Sequence, residues 1–289
     1  MKYNFENKLL LVTGGSGFLG VPLVKRLLAD KANVRVISRD EGKLIELKQQ
    51  CPQVEILNGD ISDAFEVRQA MKDVDGVFHL AASKHVGLAE ITVRETIKSN
   101  VNGSLNILDH TFAETAPNLE FIIGISTDKA AQVAGVYGAS KLLMERLFSQ
   151  FERLNTLVDY RIVRYGNVLY STGSVLCKWK DLIKADKELI VTEPKATRFF
   201  WSVDQALDLI YDCLNNAEDS KPYVPSMKAM SIENLLEAMY QKYLPEGCEK
   251  KIKVIGLQPG ENLHEKILED GLDSSQVEQY SVEEIIPLI

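Results

Sequence analysis

The sequence predicts an α/β fold, a doubly wound parallel sheet followed by a smaller C-terminal lobe. Three observations carry this. Short apolar runs alternate with amphipathic segments up to about residue 165. The runs are apolar throughout, so both faces of each strand are expected to be covered. A glycine-rich turn joins the first run to the first amphipathic segment.

Taken in order, KLLLVTG (Lys8 to Gly14) reads as a buried strand and FLGVPLVKRLLAD (Phe18 to Asp30) as a helix. NVRVIS is the second strand and EGKLIELKQQ a helix; QVEILNGD is the third strand and AFEVRQAMKD a helix. GVFHLAA (Gly76 to Ala82) is the fourth strand, and TVRETIKSNVNGSLNILDHTFAE is predicted as one long helix. EFIIGIS (Glu120 to Ser126), the helix YGASKLLMERLFSQF and the strand YRIVRY (Tyr160 to Tyr165) complete the series. Strands alternating with helices imply right-handed crossovers. After Gly166 the rhythm loosens, with turn signals at STGS, EPKA, LPEG and QPGEN. Residues 1–165 are therefore expected to form the first domain and 166–289 the smaller lobe, with the helix Val203 to Leu214 free to pack back on the first.

The 289 residues are 45% hydrophobic and 26% charged, an ordinary globular mixture. The net charge of −8 gives no reason to expect nucleic acid or an anionic membrane as partner. Cys51, Cys177, Cys213 and Cys248 form no Cys-x-x-Cys pair, which suits a reducing compartment. His79, His85, His110 and His264 have no metal-ligand spacing, so no metal is expected. No leader-like segment follows Met1, and no apolar run nears the ~20 residues that span a bilayer. A cytoplasmic location is expected.

VTGGSGFLG places Gly14, Gly17 and Gly20 between the first strand and helix. Gly14 suits a tight turn, Gly17 lets backbone approach a pyrophosphate, and Gly20 lets helix and sheet pack closely. The helix N-terminus offers unpaired N–H groups to the phosphates. This is the context that makes the pattern a Rossmann dinucleotide site. The second strand ends in Ser38, Arg39 and Asp40. Arg39 could meet a 2′-phosphate, favouring NADP, or Arg39 could be solvated while Asp40 takes the ribose. Asp60 could accept from the adenine amino group or cap the next helix, although Asp63 is the better cap.

Tyr137 and Lys141 lie four apart at a helix start and share a face. The charge of Lys141 would favour the phenolate, and such a phenol can take a hydroxyl proton as the carbon gives up hydride.

TGGSGFLG, HLAAS, NVNGSLNIL, YGASK and RYGNV together resemble the extended short-chain dehydrogenase/reductase family over nearly the full length. That resemblance implies a nucleotide cofactor, with Phe18, Leu19, Ile61, Ala81 and Ala82 among its contacts. It leaves the reaction open among dehydrogenases, epimerases, dehydratases and non-catalytic regulators. AASKHV, STDKA, YGASK, RYGNV, TRFFWSV, VPSMKAMSI and GLQPGENLHE resemble the inverting UDP-N-acetylglucosamine 4,6-dehydratases more closely. Ordinary hexose-nucleotide 4,6-dehydratases typically carry Thr-Asp-Glu, whereas this chain has Thr127, Asp128 and Lys129, with a short gap before Tyr137.

The resemblance implies a sequence of steps. Tyr137 deprotonates the C4 hydroxyl as hydride leaves C4, and the ketone acidifies the C5 proton. Lys129, if neutral, removes that proton; burial, with Lys141 or a cationic cofactor ring, is expected to lower its pKa. Asp128, if its pKa is raised, protonates the departing C6 hydroxyl. Hydride returns to C6, C5 is reprotonated from the opposite face, and Thr127 hydrogen-bonds the C4 oxygen. Which of Asp128 and Lys129 makes each transfer stays open, since the two can act as one coupled pair.

Lys84, Asn167, Arg198 and Glu261 are the candidate substrate contacts, with the Arg198 fork facing a diphosphate. Each has a plainer alternative, a surface Lys, a turn residue or an ion pair. Phe199, Phe200 and Trp201 read as core. Gln258 and Asn262 stand where the family motif carries Arg and Lys, which removes one expected diphosphate contact. His264 is expected to make a structural polar contact. The resemblance implies UDP-N-acetylglucosamine as substrate and a homo-oligomer. The competing readings are a retaining dehydratase or 4-epimerase, and a non-catalytic NADP-sensing regulator.

Overall fold

The computed structural model describes residues 2–289 apart from Thr172 and Pro259. The first half alternates as its apolar runs require: β1 (Leu9–Thr13), α1 (Gly20–Ala29), β2 (Asn33–Ser38), α2 (Glu41–Gln50), β3 (Glu55–Asn58), α3 (Ala64–Met71) and β4 (Gly76–His79). Three shorter helices follow, α4 (Val86–Ile91), α5 (Val93–Ile97) and α6 (Gly103–Asp109), then β5 (Phe121–Thr127), α7 (Val136–Leu154) and β6 (Asp159–Tyr165). The remainder comprises β7 (Asn167–Val168), α8 (Val175–Lys184), β8 (Leu189–Val191), β9 (Thr197–Trp201), α9 (Val203–Asn216), β10 (Pro222–Tyr223), β11 (Ala229–Ser231), α10 (Ile232–Tyr243), β12 (Ile252–Val254) and α11 (Val282–Ile285).

Seven strands form one parallel sheet in the order β10-β6-β5-β4-β1-β2-β3. The order reverses between β1 and β4, which opens a crevice at their carboxyl ends. Alternate strand residues feed two cores. Leu10, Val12, Phe121, Ile123 and Val163 face the layer that includes α1, α2 and α9. Leu11, Ile122, Tyr160 and Ile162 face the layer of α3, α6 and α7. Each such fully buried side chain contributes about 1.5–3 kcal/mol. His79 crosses this interior as a neutral imidazole, with Nδ1 2.8 Å from Thr13 Oγ1 and Nε2 2.9 Å from Ser104 Oγ.

The long helix expected over TVRETIKSNVNGSLNILDHTFAE runs without interruption from Val93 to Asp109, short of its expected end. Between α5 and α6, Lys98–Asn102 forms a π-helical turn, and the helix stops at Asp109. The widened turn directs Asn100 inward. Its Nδ2 donates to Ser83 O (2.9 Å) and Ser140 Oγ (2.9 Å), and its Oδ1 accepts from Ser83 N (2.7 Å). Such turns recur at functional sites, and this one ties the segment after β4 to α7.

Past residue 165 the chain crosses between lobes three times. β7 and β9 join β11 in a small sheet; α9 and β10 return to the large one; β11 onward lies in the small lobe. α9 buries Leu207, Ile210, Cys213 and Leu214 in the first core, and Tyr211 donates to Asp30 Oδ2 at 2.7 Å. Phe199, Phe200 and Trp201 are buried.

Candidate active site

A cleft of about 650 Å³ opens at the carboxyl ends of the strands, along the crevice beside β1. Its floor begins at the first turn. Gly14 has φ +69°, and a Cβ at Gly20 would lie 2.5 Å from Gly14 O. Helix α1 therefore starts against the sheet, where its free N–H groups can meet phosphates. Phe18, Leu19, Ile61, Ala81 and Ala82 line the same cleft with Gly14, Gly17 and Gly20. These residues fit a dinucleotide.

The end of β2 divides its labour. Asp40 caps α2, its Oδ1 accepting from Lys43 N at 3.1 Å while Oδ2 pairs with Lys43 Nζ at 2.9 Å. Ser38 receives a hydrogen bond from Ser16 Oγ at 2.8 Å, and Ser16, Ser38, Arg39 and Lys43 all line the cleft. Asp60 stands outside the lining and accepts from Ser62 N at 2.9 Å. Arg39 Nη1 (3.8 Å) and Lys98 Nζ (3.6 Å) lie near its other oxygen. Asp63 is the cap of α3.

On the far wall, Thr127 ends β5 and Asp128–Ala130 makes a single tight turn. Helix α7 packs against that turn because residue 138 is glycine, where a Cβ would lie 2.2 Å from Lys129 O. Glu90 of α4 accepts from Val136 N at 2.6 Å, a carboxylate at the positive end of α7. Thr127, Lys129, Tyr137 and Lys141 thereby line one wall. Asp128 is fully buried behind them. Its Oδ1 accepts from Thr127 Oγ1 (2.8 Å) and Lys129 Nζ (3.1 Å), while Oδ2 finds no partner among the described residues.

The electrostatics correct two expectations. Burial pulls the Lys129 amine down, but Asp128 and Glu265 outweigh it and hold the amine above its ordinary value. Lys129 is therefore an ammonium rather than the neutral base expected, and its neighbours in the cluster are Asp128 (3.1 Å) and Glu265 Oε1 (3.7 Å). Burial pushes the Tyr137 phenol up; the cation that opposes this is Lys129, with help from the Thr127 hydroxyl. Lys141, buried with Nζ 3.3 Å from Met144 Sδ, is itself pushed down to about 8 by burial, against the pull of Glu145.

Of the substrate candidates, Lys84 and Asn167 line the cleft. Arg198 does not. Its Nη1 donates to Thr197 O (2.8 Å) and Leu263 O (3.0 Å), and Nε lies 3.8 Å from Glu265 Oε1. Two of its nitrogens are directed inside the protein, away from the cleft lining, which counts against the expected diphosphate fork. Glu261 accepts from Gln258 N at 3.0 Å and holds its own loop. His264 Nδ1 lies 2.8 Å from Thr197 Oγ1, a structural contact.

Sequence reasoning missed Ser16, Lys43, His85 and Tyr165 in the lining, and Glu265 behind it. Lys43 was legible as the fourth residue after Arg39, on the first turn of α2. Glu265 was legible only as a retained residue of the GLQPGENLHE motif, with nothing to place it beside Lys129. Among the described residues no cluster of three or more His, Cys, Asp or Glu could hold a metal ion, and no helix is long and apolar enough to cross a membrane.

A family model described as polysaccharide biosynthesis protein matches residues 10–286. The chain belongs to that family, within the extended short-chain dehydrogenases/reductases. An inverting UDP-N-acetylglucosamine 4,6-dehydratase of Campylobacter jejuni is 35% identical, with 90% of this chain and 77% of the relative covered. A UDP-glucose 4-epimerase of Rickettsia bellii is 34% identical, with 91% and 78% covered. The crystal structure of Pen from Bacillus thuringiensis superposes with a TM-score of 0.90 at 28% identity, over 99% of this chain and 98% of that one. These relatives support a nucleotide-sugar dehydratase or epimerase.

Proposed function

We propose that this protein is an NADP-dependent 4,6-dehydratase acting on UDP-N-acetylglucosamine in the cytoplasm, with inversion at C5. The observation that carries this reading is the Asp128–Lys129 pair, 3.1 Å apart, on the cleft wall that also bears Tyr137. Oxidation and reduction at C4 alone need one proton acceptor at the C4 hydroxyl. Loss of water across C5 and C6 needs a second acceptor at C5 and a donor at the C6 oxygen.

A bound nicotinamide would supply the hydride acceptor needed at C4 and the hydride donor needed at C6. Tyr137 takes the C4 hydroxyl proton, and Thr127 holds the oxygen that becomes the ketone. Lys129 must release its proton before it can take one from C5. Asp128, when protonated, can hand that proton to the departing C6 hydroxyl, and its unpartnered Oδ2 is the oxygen free to carry it. Lys141 holds the cofactor's ribose side of the site, and Lys84 and Asn167 contact the sugar nucleotide. Arg198 and Glu261 drop out of the contact set because both are engaged elsewhere.

NADP is favoured over NAD because Asp40, the usual ribose acceptor position, is occupied as a helix cap, while Ser16, Ser38, Arg39 and Lys43 offer hydroxyls and cations. The 4-epimerase reading has its support in the Rickettsia relative's name. It leaves the buried Asp128–Lys129 pair without a task. Incubation with UDP-N-acetylglucosamine in deuterated water, followed by NMR, separates the two. The expected product is a 6-deoxy-4-keto sugar with deuterium at an inverted C5. Unchanged sugar, or a C4 epimer without loss of water, overturns the dehydratase.

A further inference from the structure

Glu265 comes from the C-terminal lobe, yet it completes a charge cluster with two residues of the turn after β5. Its backbone N–H donates to Ser274 Oγ at 2.9 Å, and that hydroxyl donates to Thr197 O at 3.0 Å. The carboxylate is thereby pinned to β9. Its side chain is 2% exposed, and Oε1 sits 3.7 Å from Lys129 Nζ and 3.8 Å from Arg198 Nε. Asn262 Nδ2 is 3.4 Å from Oε2. A buried carboxylate usually gains short hydrogen bonds. This one has a single long amide contact and two long ion pairs; burial pushes its pKa up, and Lys129 and Arg198 are the cations that oppose this and favour its charged form.

The groups facing Glu265 are Asp128 and Lys129 from the turn, Arg198 from β9 and Asn262 from its own loop. With every ionisable member charged, two anions meet two cations. Loss of the Lys129 proton leaves the cluster one negative charge in excess, and both carboxylates oppose that loss.

We infer that Glu265 is a positioning residue for Lys129: its carboxylate holds the ammonium's proton and so sets the pH at which Lys129 becomes able to deprotonate C5. This rests on the dehydratase reading. The step is a plain proton transfer: Lys129 first gives an N–H proton to solvent, then the C5–H bond breaks, its proton forming a new N–H bond and its electron pair passing into the enolate of the C4 ketone. Glu265 touches no reacting atom. It acts through Lys129.

The test follows deuterium entry at C5 of UDP-N-acetylglucosamine across pH, with nicotinamide reduction read in parallel. In the wild type, C5 exchange rises with pH through the ionisation of Lys129. Glu265→Gln removes one of two opposing charges, so that limb is expected to move about one unit to lower pH. Glu265→Asp keeps the charge and keeps the limb near its wild-type position. Asn262→Lys, at a half-exposed position, adds a cation beside Glu265 and moves the limb the same way by less, which covers failure of Glu265→Gln to fold. An unshifted limb in the folded variants overturns the proposal. So does Glu265→Gln losing exchange and nicotinamide reduction in equal proportion at an unchanged limb, the mark of a packing role. A wild type that shows no C5 exchange at all refutes the dehydratase reading instead, and the two failures are distinct.

Discussion

The positive charge of Lys129 bears directly on the hydroxyl of Tyr137, favouring its phenolate against the cost of burial. The two residues of the supposed second step and first step are therefore electrostatically joined. Lys129→Met is expected to abolish C5 exchange, by about 10²–10⁴-fold as for other lost acid–base groups. It should also move the pH dependence of nicotinamide reduction upward, because the phenol loses its opposing cation. Reduction that follows the wild-type pH curve in this variant would refute the coupling.

Lys141 offers a prediction about stability. Burial holds its pKa at about 8, below the ordinary 10.5. Below pH 8 both folded and unfolded chains carry the charge, and the fold bears the whole cost of burying it. Between about 8 and 10.5 the unfolded chain binds the extra proton, so this residue's contribution to stability rises with pH across that window. Lys141→Met is expected to stabilise the ligand-free fold at pH 7, on the order of 1–3 kcal/mol, while turnover collapses. Thermal melts of both proteins at pH 7 and pH 10 check this; a gap between them that stays constant with pH contradicts it.

Cofactor choice is tested at Arg39 and Lys43. Removing both side chains should weaken NADP binding at least tenfold, given about 1.5–3 kcal/mol for a hydrogen bond to a charged group. NAD binding should change little. Equal losses for the two dinucleotides in a fluorescence titration would show that neither residue meets a 2′-phosphate.

Gly138→Ala probes the packing of α7 on the turn. The added methyl would lie 2.2 Å from Lys129 O, so turn and helix must part. A displacement near 1 Å costs about 10²-fold in rate, and overpacking costs about 1–3 kcal/mol. Cofactor binding should persist, since the first turn and β2 are untouched. Wild-type turnover in Gly138→Ala would mean that the spacing between Lys129 and Tyr137 is not critical.

Much of this was legible in the chain because the signals are local. Apolar runs gave the strands, and Gly14 and Gly20 gave the first turn. The four-residue spacing of Tyr137 and Lys141 gave one helix face. What escaped depends on distant partners. The π-helical turn at Lys98–Asn102 sets Asn100 against Ser83 and Ser140, neither of which marks its own segment. The charge on Lys129 was misjudged because burial was weighed above the adjacent Asp128, the stronger of the two opposing carboxylates, and because Glu265, which adds to it, arrives from the far end of the chain. Arg198 looked like a ligand fork because the backbone carbonyls that occupy it, Thr197 O and Leu263 O, leave no trace in sequence.

The three crossings past residue 165 bear on how such a protein can be recombined. A single splice at Gly166 would exchange α9 and β10 along with the small lobe, and with them Leu207, Ile210 and Leu214 from the core beneath β1 and β5. A chimera made that way carries one foreign helix inside that core. Three splices, replacing 166–202 and 224–289, would graft a new small lobe onto an intact sheet, while the choice of residue at 265 travels with the second insert and must be matched to the host's Lys129.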